Sequence, residues 1–279
     1  MNKTRRERNV VMYRAWRFLR READSPGHSK SIKSRSTSVR QQRQAGQSLI
    51  EFIVVMPLFF AILFGIFEFT FIYKAKTTLN TATFEAARAG SLQHGRMSAM
   101  VDALAKGMTP LYMKGKASAQ IAGMTQAYLQ SRAVATVIQQ LPGVAAVEII
   151  SPSPAVVDAF SVQRRIKPVG ESEYQMATFI PSDNLYFRSS TDLQVNTEDG
   201  QIKMNIQDAN ILKICTFWCY RMKTPLVSRL IRQVITSPML TANAEEQMAC
   251  NAASGLTGGN YMALRSHAVM RMQSHFIKE

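Results

Sequence analysis

Gly46, Gln47 and Glu51 stand at a spacing that fits one particular chemistry, cleavage of the chain followed by pairing of the new terminus. A glycine before a scissile bond offers no side chain to obstruct the approach of an enzyme to the backbone. A cut after Gly46 would give Gln47 an ammonium group. That group would lie four residues from the Glu51 carboxylate, one helical turn away. The carboxylate calls for such a partner because it opens a long apolar run. An acid carried to the centre of a bilayer costs on the order of 2.5–3.5 kcal/mol. An ion pair at roughly 4 Å and an effective dielectric near 20 returns about 4 kcal/mol.

Other reactive side chains form weaker patterns. Cys215, Cys219 and Cys250 all follow the apolar run. In an oxidising compartment they permit a disulfide, expected to join Cys250 to either Cys215 or Cys219 and to leave one thiol over. The Cys215–Cys219 spacing lacks a supporting histidine cluster, since His28, His94, His267 and His275 are scattered, so no metal site is assigned and no cofactor is expected. Glu171, Glu173, Glu198 and Asp199 could be read as paired carboxylates, but Glu198–Asp199 precedes Gly200, where acids serve a turn. With no Ser/His/Asp or Cys/His arrangement in support, the expectation is a chain that is not an enzyme.

The element that must position Glu51 is the apolar run itself. Residues 52–67 carry no charge, and the continuation to Tyr73 adds only Glu68 and Thr70. As a helix, 52–73 rises roughly 33 Å, against a hydrocarbon core of about 30 Å. Within it Pro57 removes a backbone donor and predicts a kink. Ala61 and Gly65 form a small-xxx-small pair on which another helix can approach closely. The helix is expected to continue through 76–90, with Leu79, Ala82, Ala86 and Ala89 on one face. That face suits packing either on a neighbouring subunit or on the chain's own globular part.

Charge gives the orientation. Of the 34 Lys and Arg residues, 13 precede Gln47, against Glu7, Glu22 and Asp24. A basic block directly before a membrane span places the N-terminus in the cytoplasm and the rest outside. Because the positive excess sits where topology requires it, nucleic acid is not expected as a partner. Within the block, Val11, Met12, Ala15, Trp16, Phe18 and Leu19 oppose Arg14, Arg17, Arg20 and Arg21 on a helical wheel. This is either a basic amphipathic helix on an anionic leaflet or a solvated one. The serine-rich stretch 24–45 reads as a flexible linker.

Three parts follow: a basic cytoplasmic leader and linker at 1–46, a transmembrane and extended helix at 47–92, and a periplasmic α+β domain at 93–279. In that domain, helices are predicted from Met97 to near Pro110, over 118–140 and from Pro154 to Phe160, with a strand over 144–150 between the last two. Strands are predicted over 174–180 and 185–188, and a hairpin over 193–196 and 201–206. An apolar strand over 211–220, an amphipathic helix over 225–235 and a closing strand over 261–273 complete the outline.

One ordered set of residues carries a resemblance. Gly46, Gln47, Glu51, Phe52, Pro57 and Leu58, then Phe64, Gly65, Glu68 and Phe69, then Ala82, Glu85, Ala86, Ala87, Arg88, Ala89 and Gly90 resemble the opening of the TadE-like family of tight-adherence pilus assembly proteins. The segment 48–51 looks like a prepilin core with its acid at the fifth mature position. Pieces at 208–214, 219–231 and 266–274 look like longer proteobacterial members. The resemblance implies a type IVb pilin-like protein of the bacterial inner membrane, serving assembly of Flp pili and surface adhesion. It implies processing by a prepilin peptidase between Gly46 and Gln47, and partnership with other pilin-like subunits, the pilus assembly machinery and membrane lipid. The alternative is an uncleaved signal-anchor subunit of an inner-membrane secretion complex.

Overall fold

The computed structural model describes residues 47–113, 121–141, 143–166, 172–197, 200–235 and 244–277. The chain falls into two units, Met1–Ile50 and Glu51–Glu279. The amphipathic helix and linker expected before Gln47, and Gly46 itself, lie outside the described residues.

The first element is a 46-residue helix, α1, Gln47–Leu92, which runs through Pro57 without interruption. It ends where His94 and Gly95 take left-handed backbone angles of 62° and 78°, and the Gly95 N–H returns to the Gly90 carbonyl at 2.9 Å. Gly95 is doubly constrained, because a Cβ there would also come within 2.5 Å of the Phe276 ring.

The second half of α1 packs on this chain's own domain, which resolves the two readings of its small-residue face. Ala75, Leu79, Ala82, Ala86 and Ala87 are fully buried. Helix α2, Met97–Met108, crosses so near that a Cβ on Gly107 would lie 2.5 Å from that of Ala82. Helix α3, Ile121–Gln139, packs behind α2, with the Ser131 hydroxyl donating to the Ala105 carbonyl at 2.6 Å. At its end, Gln139 Oε1 accepts from the amides of Ala146 and Val147 at 3.0 and 3.4 Å and sets the start of the next strand.

That strand, β1 (Val147–Ser151), is one edge of the main antiparallel sheet, whose other members are β6 (Ile211–Arg221) and β7 (Tyr261–Arg271). The order is β1-β6-β7. Strand β6 is buried on both faces, because alternate side chains point to opposite sides and both sides are covered by helix. On one side Thr216 meets Thr83 of α1 at 2.6 Å between hydroxyl oxygens, Ser266 donates to Asn80 Oδ1 at 2.9 Å and Lys76 Nζ donates to the Arg265 carbonyl.

Between β1 and β6 come α4 (Pro154–Phe160), β2 (Val162–Ile166), β3 (Gln175–Ile180), the hairpin strands β4 (Leu193–Thr197) and β5 (Gly200–Met204), and the single turn α5 (Ile206–Ala209). Strands β2 and β3 form a second sheet with β8, Phe276–Ile277. After β6 follow α6 (Pro225–Ile235) and α7 (Ala244–Thr257). Helix α7 covers the outer edge of β7: Gln247 donates to the Tyr261 carbonyl at 2.9 Å and accepts from the Ala263 amide at 3.0 Å, while Glu246 pairs with Arg265 at 2.7 Å. A covered edge offers no template for pairing with another chain.

The class is α+β, as expected. One strand is corrected: Leu185–Phe187 is a 3-10 turn. Asn184 is left-handed at φ 49°, and Arg188 folds back on Asp183 with a 2.8 Å ion pair, so the segment cannot extend.

His275 ties the end of the chain to β3. Its ring stacks on Phe179 at 4.7 Å, and its Nδ1 accepts from the Ser182 amide at 3.0 Å. Burial holds its pKa below the usual 6.5; Asp183 pulls it up, and His94, Arg164 and Arg188 push it down. The depressed pKa means that the unfolded chain takes the proton first as pH falls. The stabilisation is complete above about pH 6.5 and fades as pH drops below it. Thermal unfolding should therefore shift down between about pH 7.5 and about pH 5, and by less in His275→Gln than in the wild type.

Candidate functional site

The site is the path of α1 from its bare beginning to the point where the domain grips it. Leu49, Phe52, Val54, Leu58, Ile62 and Ile66 are each more than half exposed, and none of the apolar window is covered by the rest of the chain. Such a surface is matched to lipid or to other apolar helices, not to water. By length and composition α1 can cross a membrane once, as an anchor. Ala61 and Gly65 lie on this stretch, and a Cβ on Gly65 would meet nothing within 4 Å. Glu51 stands exposed near its start and Gln47 begins the helix; Gly46, the other half of the expected junction, lies outside the described residues.

Where the bare stretch ends, Glu68 is fully buried. Its carboxylate accepts from the Lys223 amide at 3.0 Å, the Thr224 amide at 2.9 Å and the Thr224 hydroxyl at 2.7 Å. These donors open α6, where Thr224 precedes Pro225 and its carbonyl receives the Ser228 amide at 3.0 Å. The first amides of a helix have no partner within it, and a carboxylate there also meets the positive end of the helix dipole. Glu68 therefore fastens α6 to α1. Lys223 reinforces the joint by placing Nζ 4.6 Å from the centre of the Phe71 ring. Burial, with the Glu68 charge adding to it, pushes the Tyr220 hydroxyl up to about 12, so this side of the joint holds a neutral phenol.

On the opposite face of β6, Cys219 is bonded to Cys250 of α7, and Cys215 is free and buried. Burial pushes the Cys215 thiol up against the opposing pull of Arg265, which keeps it protonated and unreactive. Among the described residues no group of three or more His, Cys, Asp or Glu side chains could hold a metal ion. Of the acids weighed as paired carboxylates, Glu173 is exposed, and Glu171, Glu198 and Asp199 lie outside the described residues.

The sequence reading did not assign a role to Glu68, although the argument that singled out Glu51 applies equally to it. A carboxylate at the far end of an apolar run also needs compensation. The Thr224–Pro225 helix start offered the donors, but nothing local in sequence joins positions so far apart.

No curated protein and no solved structure matches the chain. Over residues 46–88, which include the expected junction, Glu51, the bare stretch and Glu68, the chain matches the family model described as TadE-like protein.

Proposed function

We infer that the protein is a membrane-anchored, pilin-like subunit for assembly of Flp/type IVb pili, and through them for surface adhesion, with no chemistry of its own. The family match associates it with the Tad pilus. The observation that carries the finer reading is the division of α1: its second half is buried against the domain, while its first half is uncovered over the stretch that holds Ala61 and Gly65. An uncovered apolar half-helix with a small-residue pair can sit in a membrane and can pack closely against neighbouring helices. The leader and its basic block are cytoplasmic, the α+β domain is periplasmic, and the inner-membrane assembly machinery and a prepilin peptidase are the partners. Glu51 serves assembly by meeting the ammonium of a processed N-terminus; nucleic acid has no part.

The experiment that separates this reading from an uncleaved signal-anchor is mass and N-terminal sequence of the membrane-bound chain from a host with a competent prepilin peptidase. The wild type should begin at Gln47, and Gly46→Val should retain the leader nearly completely, because a branched Cβ blocks backbone approach. A wild-type chain that keeps residues 1–46 in that host would favour the anchor.

A further inference from the structure

Immediately beyond the end of the apolar stretch, the surface around the start of α6 holds a cavity of about 450 Å³ whose lining includes Arg221, Lys223, Arg229, Arg232, Ser228 and Asn260. Among the described residues, four cations and no carboxylate line it. Its walls are built rather than incidental. The Asn260 side chain donates to Ser228 Oγ at 2.8 Å and accepts from Arg232 Nη1 at 3.3 Å. The Asn260 carbonyl receives the Met222 amide at 2.9 Å. Arg221 lies along Gly259, whose φ of 138° and missing Cβ leave room for the guanidinium, since a Cβ would come 3.0 Å from Nε. The nearby Glu68 carboxylate is committed to the amides of Lys223 and Thr224.

The chemistry called for is an anion with several oxygens, since guanidinium forks and an ammonium together match phosphate. The cavity's level in the fold narrows the source. Lys223 is held to Phe71 and to Glu68, residues on the last turns of the apolar run. Tyr73, 71% exposed, and Lys74 follow, as aromatic and basic side chains do at a membrane–water boundary. On α6 itself, Leu230 and Val234 are 54% and 55% exposed one turn apart, an apolar pair beside the cations. Lys and Arg close to a bilayer surface are drawn to anionic lipid head groups by about 1 kcal/mol each.

We propose that this cavity binds the phosphate head group of an anionic phospholipid, which seats the domain on the bilayer at the end of its own anchor. The lipid bridges Lys223, Arg229 and Arg232 while Leu230 and Val234 rest among the first acyl carbons. The proposal rests on α1 being anchored in a bilayer and on nothing further about pilus assembly.

The test uses the full chain in detergent, with native mass spectrometry after adding phosphatidylglycerol or phosphatidylcholine. The wild type should retain one phosphatidylglycerol in preference to phosphatidylcholine, and Lys223→Gln with Arg229→Gln should weaken retention about 10- to 30-fold. Arg232→Lys, which keeps the charge but loses the guanidinium fork, should weaken retention by less than the double variant does. If the double variant loses the Cys219–Cys250 bond and so fails to fold, Arg229→Gln alone carries the test, with a loss of about 5-fold. Equal retention of the two lipids, or retention unchanged by loss of the cations, would overturn the proposal. Displacement of the lipid by inorganic phosphate at millimolar concentration would mark a free-phosphate site and overturn it too. Release of the chain from phosphatidylglycerol vesicles by alkali would remove the anchor, and the proposal with it.

Discussion

Replacing Glu68 by Ala should destabilise the domain by about 3 kcal/mol. The side chain is fully buried and is the acceptor for two backbone amides and one hydroxyl. Its removal strands donors that cannot turn to water without opening the joint between α1 and α6, and each such loss costs about 1–3 kcal/mol. Part of the sum is returned, because the mutant no longer buries a charge; the hydrogen bonds outweigh that return because three donors converge on one group. Glu68→Gln keeps one acceptor oxygen and should lose roughly half as much. For a domain of this size, about 3 kcal/mol lowers the unfolding temperature by about 6–12 °C, readable by thermal unfolding of the full chain in detergent. An unchanged midpoint for Glu68→Ala would show that α6 is held by other contacts and that the carboxylate is incidental.

Loss of the disulfide should cost about as much. Cys219 and Cys250 are 31 residues apart, and closing a loop of that length in the unfolded chain contributes about 3.5 kcal/mol on the chain-entropy account. The bond also joins the central strand to the helix that covers the sheet edge. Cys219→Ser/Cys250→Ser should therefore unfold at a temperature lower by about 7–14 °C, and reduction of the wild type should have the same effect. Cys215 offers no substitute partner, since its thiol is buried and protonated. A reducing agent that leaves the wild-type midpoint in place would show that packing alone holds α7.

These two effects mark the boundary of what the sequence made legible. Periodicity sufficed for α1, because an apolar run and then a small-residue face each declare themselves locally. The same holds for the amphipathic α6, for the largely apolar β6, and for the α+β class. Helix α7 was missed because its residues, Ala244–Thr257, are mostly small and polar and lack an apolar stripe; it is held by Cys250 and by Gln247, whose partners lie on other elements. Strand β2, VQRRI, has too little apolar content to declare itself and owes its place to pairing with β3. Leu185–Phe187 looked like a strand because Leu, Tyr and Phe favour one; the left-handed Asn184 before it overrides that preference. At the site, the expectation for Glu51 draws on a counter-ion one turn away in sequence. Glu68 was not, because its donors lie 155 and 156 positions further on.

Assembly is the central claim, and pilus yield tests it most directly. Sheared surface pili should be measured in a strain lacking this chain, complemented with the wild type or with Glu51→Ala at matched membrane levels. Pili should disappear without the chain and return with the wild type. Glu51→Ala should restore the membrane-bound protein but less than about a tenth of the pili, since the ion pair it removes is worth about 4 kcal/mol at contact. Normal pilus yield in the strain without the chain would contradict the account.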